Sequence, residues 1–192
     1  MTLDEIVSAY IRDYRDGARK EMGTFRRESS RASAIRRAAL CQLPNGKRHS
    51  HQYLIPQRLL HLAEERLQAV AKRLAAASDF DALHEIVRDQ IGAVRGIGKL
   101  TVYDIAQRIG AYLGIVPELV YLHRGTKEGA AAMGFLGETL DPAALPAAFS
   151  RLTPAEIEDC LCIYKGVLRG GRDRLGRDPG CGHIRRQRRC VS

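Results

Sequence analysis

The stretch Val94-Arg95-Gly96-Ile97-Gly98-Lys99-Leu100-Thr101-Val102 decides the fold, because helical periodicity runs up to it and resumes beyond it. Before it, Phe80, Leu83, Ile86, Val87, Ile91 and Val94 recur at the spacing of one helix face. After it, Val102, Ile105, Ala106, Ile109 and Leu113 do the same. Two helices are therefore joined by a tight Gly-Ile-Gly turn. Glycine reaches positive φ without penalty and lets another molecule approach the backbone closely. Thr101 is placed to cap the second helix. Such a corner presents a row of unpaired N–H groups at a helix N-terminus, with Lys99 beside them, and suits one phosphate.

Outward from the hairpin the pattern stays helical. Leu3, Ile6, Val7, Tyr10 and Tyr14 form one stripe of a helix expected over 3–28. Ser29 or Ser30 caps a second helix reaching Leu40, and Pro44-Asn45-Gly46 is a turn. Pro56 opens a helix extending to about Ala77, and Ser78 or Asp79 caps the first helix of the hairpin. Gly114 stops the second. Short helices are expected at 117–123 and, capped by Thr126, at Lys127–Met133. Thr153-Pro154-Ala155-Glu156 is a capping box that starts a last helix. No strand is expected. The fold class is all-α: one multi-helix domain over 1–169, its hairpin at about 80–113, and a basic, disordered tail at 170–192.

Charge sharpens the division. The 192 residues carry a net +9, unevenly spread. Residues 169–192 hold eight arginines against two aspartates, residues 1–50 a net +5, and residues 51–168 a net −2. Basic ends favour polyanions through counterion release. No apolar run is long enough for a membrane span, and the N-terminus lacks an apolar signal core, so a cytoplasmic location without a membrane partner is expected. Five cysteines, odd in number and scattered, make no disulfide framework. Cys160 and Cys162 point about 200° apart on a helix, and Cys181, His183 and Cys190 lack a fourth ligand, so no metal site and no cofactor is read.

Two polar clusters remain. Lys47-Arg48-His49-Ser50-His51-Gln52 follows the turn. Arg48, His49 and His51 suit phosphates; the two histidines equally suit a metal or an unstacked base, and a solvated loop is the plain alternative. Tyr121-Leu122-His123-Arg124-Gly125-Thr126-Lys127 is the densest cluster beyond the hairpin. There Tyr121 suits stacking on a base, His123 proton transfer, and Arg124 and Lys127 phosphate contact. Residues 125–127 make a second helix start with free amides. The alternative puts Tyr121 and Leu122 in the core. Asp104 lies off the apolar stripe of the second hairpin helix, as a solvated carboxylate or as a base near DNA.

Gly96-Ile97-Gly98-Lys99-Leu100-Thr101-Val102 resembles the hairpin of the helix–hairpin–helix DNA-binding superfamily. Val120-Tyr121-Leu122-His123 is similar to the Val-Asp-x-His of its DNA glycosylases. The resemblance covers about residues 80–135. It implies binding to the DNA backbone without sequence preference, through the amides of Gly96, Gly98 and Lys99 supported by Thr101. It also implies a place in DNA repair. Where the bifunctional glycosylases carry a catalytic lysine this chain has Leu100, and at the catalytic aspartate position it has Tyr121. Binding therefore carries over better than catalysis. Three functions stay open: a DNA-binding protein, a divergent glycosylase or other base-processing enzyme using Tyr121, His123 and Asp104, and a helical interaction module that meets no nucleic acid.

Overall fold

The computed structural model describes residues 1–49 and 52–170. Its helices begin where short polar side chains can satisfy their first amides. Thr2 and Thr153 each accept from the amide three residues on, and Glu5 and Glu156 answer in return. These two capping boxes start α1 (Leu3–Tyr10) and α9 (Pro154–Ile163). Ser30 caps α3 (Arg31–Ala39) and Asp79 caps α6 (Phe80–Ile91). Between and after them run α2 (Asp16–Arg26), α4 (Gln57–Ala69), α5 (Ala71–Ala75), α7 (Lys99–Leu113), α8 (Arg124–Ala132) and α10 (Lys165–Leu168). Among the described residues the architecture is all-α apart from one pair of two-residue strands.

Several boundaries differ from expectation, each for a local reason. The helix expected over 3–28 widens into a π turn at Ile11–Arg15. The one expected from Pro56 to Ala77 breaks at Val70, whose φ of −107° and ψ of 18° leave the helical region. Residues 117–123 form no helix. Val120–Tyr121 is instead a strand, β1, antiparallel to β2 (Thr139–Leu140), with Val120 opposite Leu140 and Tyr121 opposite Thr139. Val120, Tyr121, Leu122 and His123 are all buried in succession. One helix face cannot bury four consecutive residues, whereas an enclosed strand can.

Two apolar cores hold the molecule. One gathers α3, α4, α6 and α7 around Phe25, Leu67, Phe80, Val87 and Ile105. The other joins α1, β1, α8 and α9 around Tyr10, Val120, Leu122, Phe149 and Leu161. Charged links tie the α1–α2 segment to α9: Arg15 and Arg19 both reach Glu156, at 3.1 and 2.9 Å. Within the first core Arg108 is 2% exposed, its Nε 3.7 Å from Glu21 Oε1. Among the described residues no helix is long and apolar enough to cross a membrane. Cys41 and Cys160 are free and buried. From residue 171 the basic tail, with Cys181, His183 and Cys190, lies outside the described residues.

Candidate nucleic-acid interface

The corner between α6 and α7 is tight and open. Val94 N–H donates to Ile91 O at 3.0 Å and Ile97 N–H to Val94 O at 2.9 Å, so the chain turns at once after α6. Gly96 takes φ +104°, a left-handed value that favours glycine. Ile97 turns inward and plugs the first core, while Gly96, Gly98 and Lys99 stay exposed. Gly98 is the N-cap of α7, extended at φ −91° and ψ 169°, with no heavy atom within 4 Å of where a Cβ would sit. Among the described residues the N–H groups of Gly96, Gly98, Lys99, Leu100 and Thr101 have no acceptor. The partial positive charge of a fifteen-residue helix is thus directed at solvent through bare amides.

The capping role expected of Thr101 is not found. It stands in the first turn of α7, buried, because α7 begins at Lys99, three residues earlier than expected. Its amide still belongs to the open row; its hydroxyl does not face solvent. Thr126 likewise caps nothing. It is enclosed within α8, where His123 occupies the N-cap position.

Lys99 is not solitary. Its Nζ lies 2.9 Å from Glu138 Oε2, and Lys127 Nζ contacts Glu138 Oε1. Hydrogen bonds from the two ammonium groups hold the Glu138 carboxyl far below the usual range, at about 2. Lys99 and Glu138, with Glu85, Arg88 and Asp89, line a groove of about 790 Å³ beside the hairpin. Asp81 and His84 from α6, Tyr121 from β1 and His123 from the start of α8 line it, with Val102 and Leu119 supplying apolar wall.

A chain of rings, two of them in the core, backs the groove. Tyr121 lies 5.4 Å from Phe80 and 4.7 Å from His84, and Tyr103 lies 4.7 Å from His123. The Tyr121 hydroxyl donates to Asp81 Oδ1. Burial and that carboxylate push the phenol up. Tyr121 is therefore mostly covered and does not stand out as a stacking platform; its neighbours hold it edge-on. Burial, with Arg88 and His123 nearby, lowers His84 to about 4, so it is neutral. His123 is 7% exposed, with Nδ1 3.1 Å from Glu158 Oε1, an oxygen that also accepts from Thr126 Oγ1 at 2.7 Å. Burial lowers His123, but the Glu158 hydrogen bond and charge, with Asp104, outweigh it and raise the net value. Its Nε2 is buried and has no partner among the described residues.

The other candidates separate from this face. His49 is 2% exposed, with Nδ1 3.5 Å from Glu21, and so is an interior residue and not an outer phosphate contact. Arg48 donates to the carbonyls of Tyr53 and Ile55 and shapes its own loop. His51 lies outside the described residues. Asp104 is neither fully solvated nor in the groove: it is half-buried and accepts from buried Gln52. Arg124 is exposed at the start of α8. The structure thus brings together Gly96, Gly98, Lys99, Tyr121, His123 and Lys127, and places Arg48, His49 and Asp104 elsewhere.

Glu138, Glu158, His84 and Asp81 carry roles that the sequence reading did not assign. One signal for Glu158 existed. Gly125 and Gly129 stand four apart, and a Cβ on Gly129 would lie 2.3 Å from the Leu161 carbonyl oxygen, so α9 packs directly on α8. No protein-family model matches this chain, no curated protein is similar to it, and no solved structure resembles it.

Proposed function

We propose that this chain binds DNA through its phosphate backbone, without sequence preference, by the helix–hairpin–helix at Gly96–Thr101. The observation that carries the reading is the open row of amides at the start of α7, with empty space in front of Gly98. A phosphate oxygen there meets several donors and the positive end of a helix together. Lys99 and Lys127 stand beside it, and Arg124 extends the cationic face. Bare amides carry no base-reading side chain, so at this corner contacts to phosphate dominate. A cytoplasmic location goes with this reading.

A substitution that helps the helix but repels a phosphate tests it. Aspartate is a preferred N-cap residue, and Gly98 already has N-cap geometry. Gly98→Asp should keep or slightly raise thermal stability while lowering affinity for a short labelled duplex about tenfold or more at low salt. Both proteins carry the same basic ends, so the difference belongs to the hairpin. Equal affinity would leave the chain as a helical module that does not read DNA through this corner.

The groove favours a second reading, a base-processing enzyme. Its rings and apolar wall stand beside Arg88 and Lys99, an arrangement that suits a base held inward with its phosphate at the edge. The family's catalytic aspartate position is Tyr121, so such an enzyme would work with other groups.

A further inference from the structure

We infer that the cavity enclosed by α2, the end of α7 and the start of α9 binds a small organic acid, an apolar body carrying one anionic head. The cavity measures about 450 Å³, within the range of sites that hold small molecules. Gln107, Ala111 and Ile115 place it at the C-terminal end of α7, whereas the hairpin is at the start of that helix. Among the described residues it shares no lining residue with the groove beside the hairpin, so the site is separate from the one proposed for DNA.

The walls suit an apolar body. Ala18, Met22, Ala111 and Ile115 supply them, with Pro117 beyond. Arg19, Met22 and Arg26 follow one another at spacings of three and four, so α2 turns a single stripe towards the cavity. That stripe carries two guanidinium groups. Arg19 already pairs with Glu156 at 2.9 Å. Arg26 is exposed and stands about 10 Å further along the helix axis, away from that pair.

Charge decides between an acid and an amine. The lining residues that titrate or carry charge are Arg19, Arg26, Glu156 and Asp159. Glu156 is matched twice, since Arg15 reaches it at 3.1 Å as well. Asp159 accepts from the Tyr10 hydroxyl on α1 at 3.1 Å. Burial pushes its carboxyl well above the usual range, helped by Glu158 on α9, Asp104 on α7 and Glu21 on α2, so it holds its proton and adds no negative charge. Arg26 is then the one lining cation without a matching acid in the lining, and the cavity is net positive. The head of the acid sits at Arg26, and its body lies against Met22 and Ile115.

The test titrates the full chain, isotopically labelled for NMR, with 3-phenylpropanoate. Parallel titrations use 3-phenylpropanamide and 3-phenylpropylamine, which keep the body and carry no charge or the opposite one. The expected result is saturable movement of the Met22, Arg26, Ala111 and Val116 amide signals with the acid, at a dissociation constant of about 1 mM or tighter. The amide and the amine should bind at least about tenfold more weakly. Arg26→Gln should weaken acid binding about tenfold, through loss of one hydrogen bond from a charged donor. Val116→Asp, at an exposed lining position, should weaken it through repulsion. Neither side chain belongs to a core, so both variants should melt with the parent. No movement of those signals with the acid overturns the inference. Equal binding of acid, amide and amine overturns it too, as does acid binding that both variants leave unchanged. Movement at Gly98 and Leu100 instead would place the anion at the hairpin and likewise overturn it.

Discussion

Lys99 and Glu138 form an ion pair at 2.9 Å across 39 residues of chain, so the hairpin's own cation is already matched by an acid. Lys127 shares the same carboxylate. Glu138 stands where a phosphate would be welcome, and an incoming strand must displace it. Lys99 and Glu138 are exposed and Lys127 is partly so, so the fold gains little from them. Glu138→Gln should therefore leave stability unchanged, tighten duplex binding several-fold at low salt, and steepen the salt dependence by about one to two contacts' worth. Fluorescence anisotropy across a salt series measures both. Unchanged affinity would show that the two lysines take no part in binding.

How much of this was legible depends on the range of each interaction. The paired helices α6 and α7 were readable because each buries a single stripe, and Ile97 fell inward as the spacing required. The start of α7 was misread because a threonine looked like the cap. The actual cap is Gly98, which has no side chain to announce it. Residues 120–123 were misread because a fully enclosed strand has no period. Glu158 and Glu138 were invisible for another reason. Their partners Thr126 and Lys99 lie 32 and 39 residues away, and only the packing of α9 on α8 and the β1–β2 pair brings them together.

Gly96 and Gly98 should respond differently to alanine. Gly96 has φ +104°, and a Cβ there would come within 2.8 Å of Leu59 Cδ1. Gly98 has an ordinary φ and open space. Gly96→Ala should cost about 1–2 kcal/mol from backbone conformation alone, while Gly98→Ala should be close to neutral in stability. Urea unfolding of both variants decides it, and equal losses would contradict the turn geometry.

The two groove histidines give stability opposite pH dependences. His84 is lowered to about 4 in the folded protein, below its ordinary value. Between about 6.5 and 4 the unfolded chain holds a proton that the folded chain refuses, so stability declines as pH falls through that window. His123 is raised, so its pairing with Glu158 is fully present below about 6.5 and is lost as pH climbs through the raised value. His84→Phe keeps a ring against Phe80 but removes the titrating group. Its urea midpoint should match the parent near neutrality and exceed it at about pH 5. A parallel acid decline in both proteins would rule out His84 as the cause.

The contact that sets Glu158 against His123 is the approach of α9 to α8, and Gly129 permits it. A Cβ at Gly129 would lie 2.3 Å from the Leu161 carbonyl oxygen and 3.0 Å from its carbon. Those atoms are backbone, so no side chain can swing aside. Gly129→Ala must push α9 away, at about 1–3 kcal/mol for overpacking. Gly129→Ala should melt below the parent. The displacement also lengthens the bond that holds His123. The Gly129 variant should therefore show a His123 imidazole titrating closer to the ordinary value by NMR, even where it remains folded. A Gly129 variant as stable as the parent, with His123 unmoved, would mean that the two helices do not meet as closely as described.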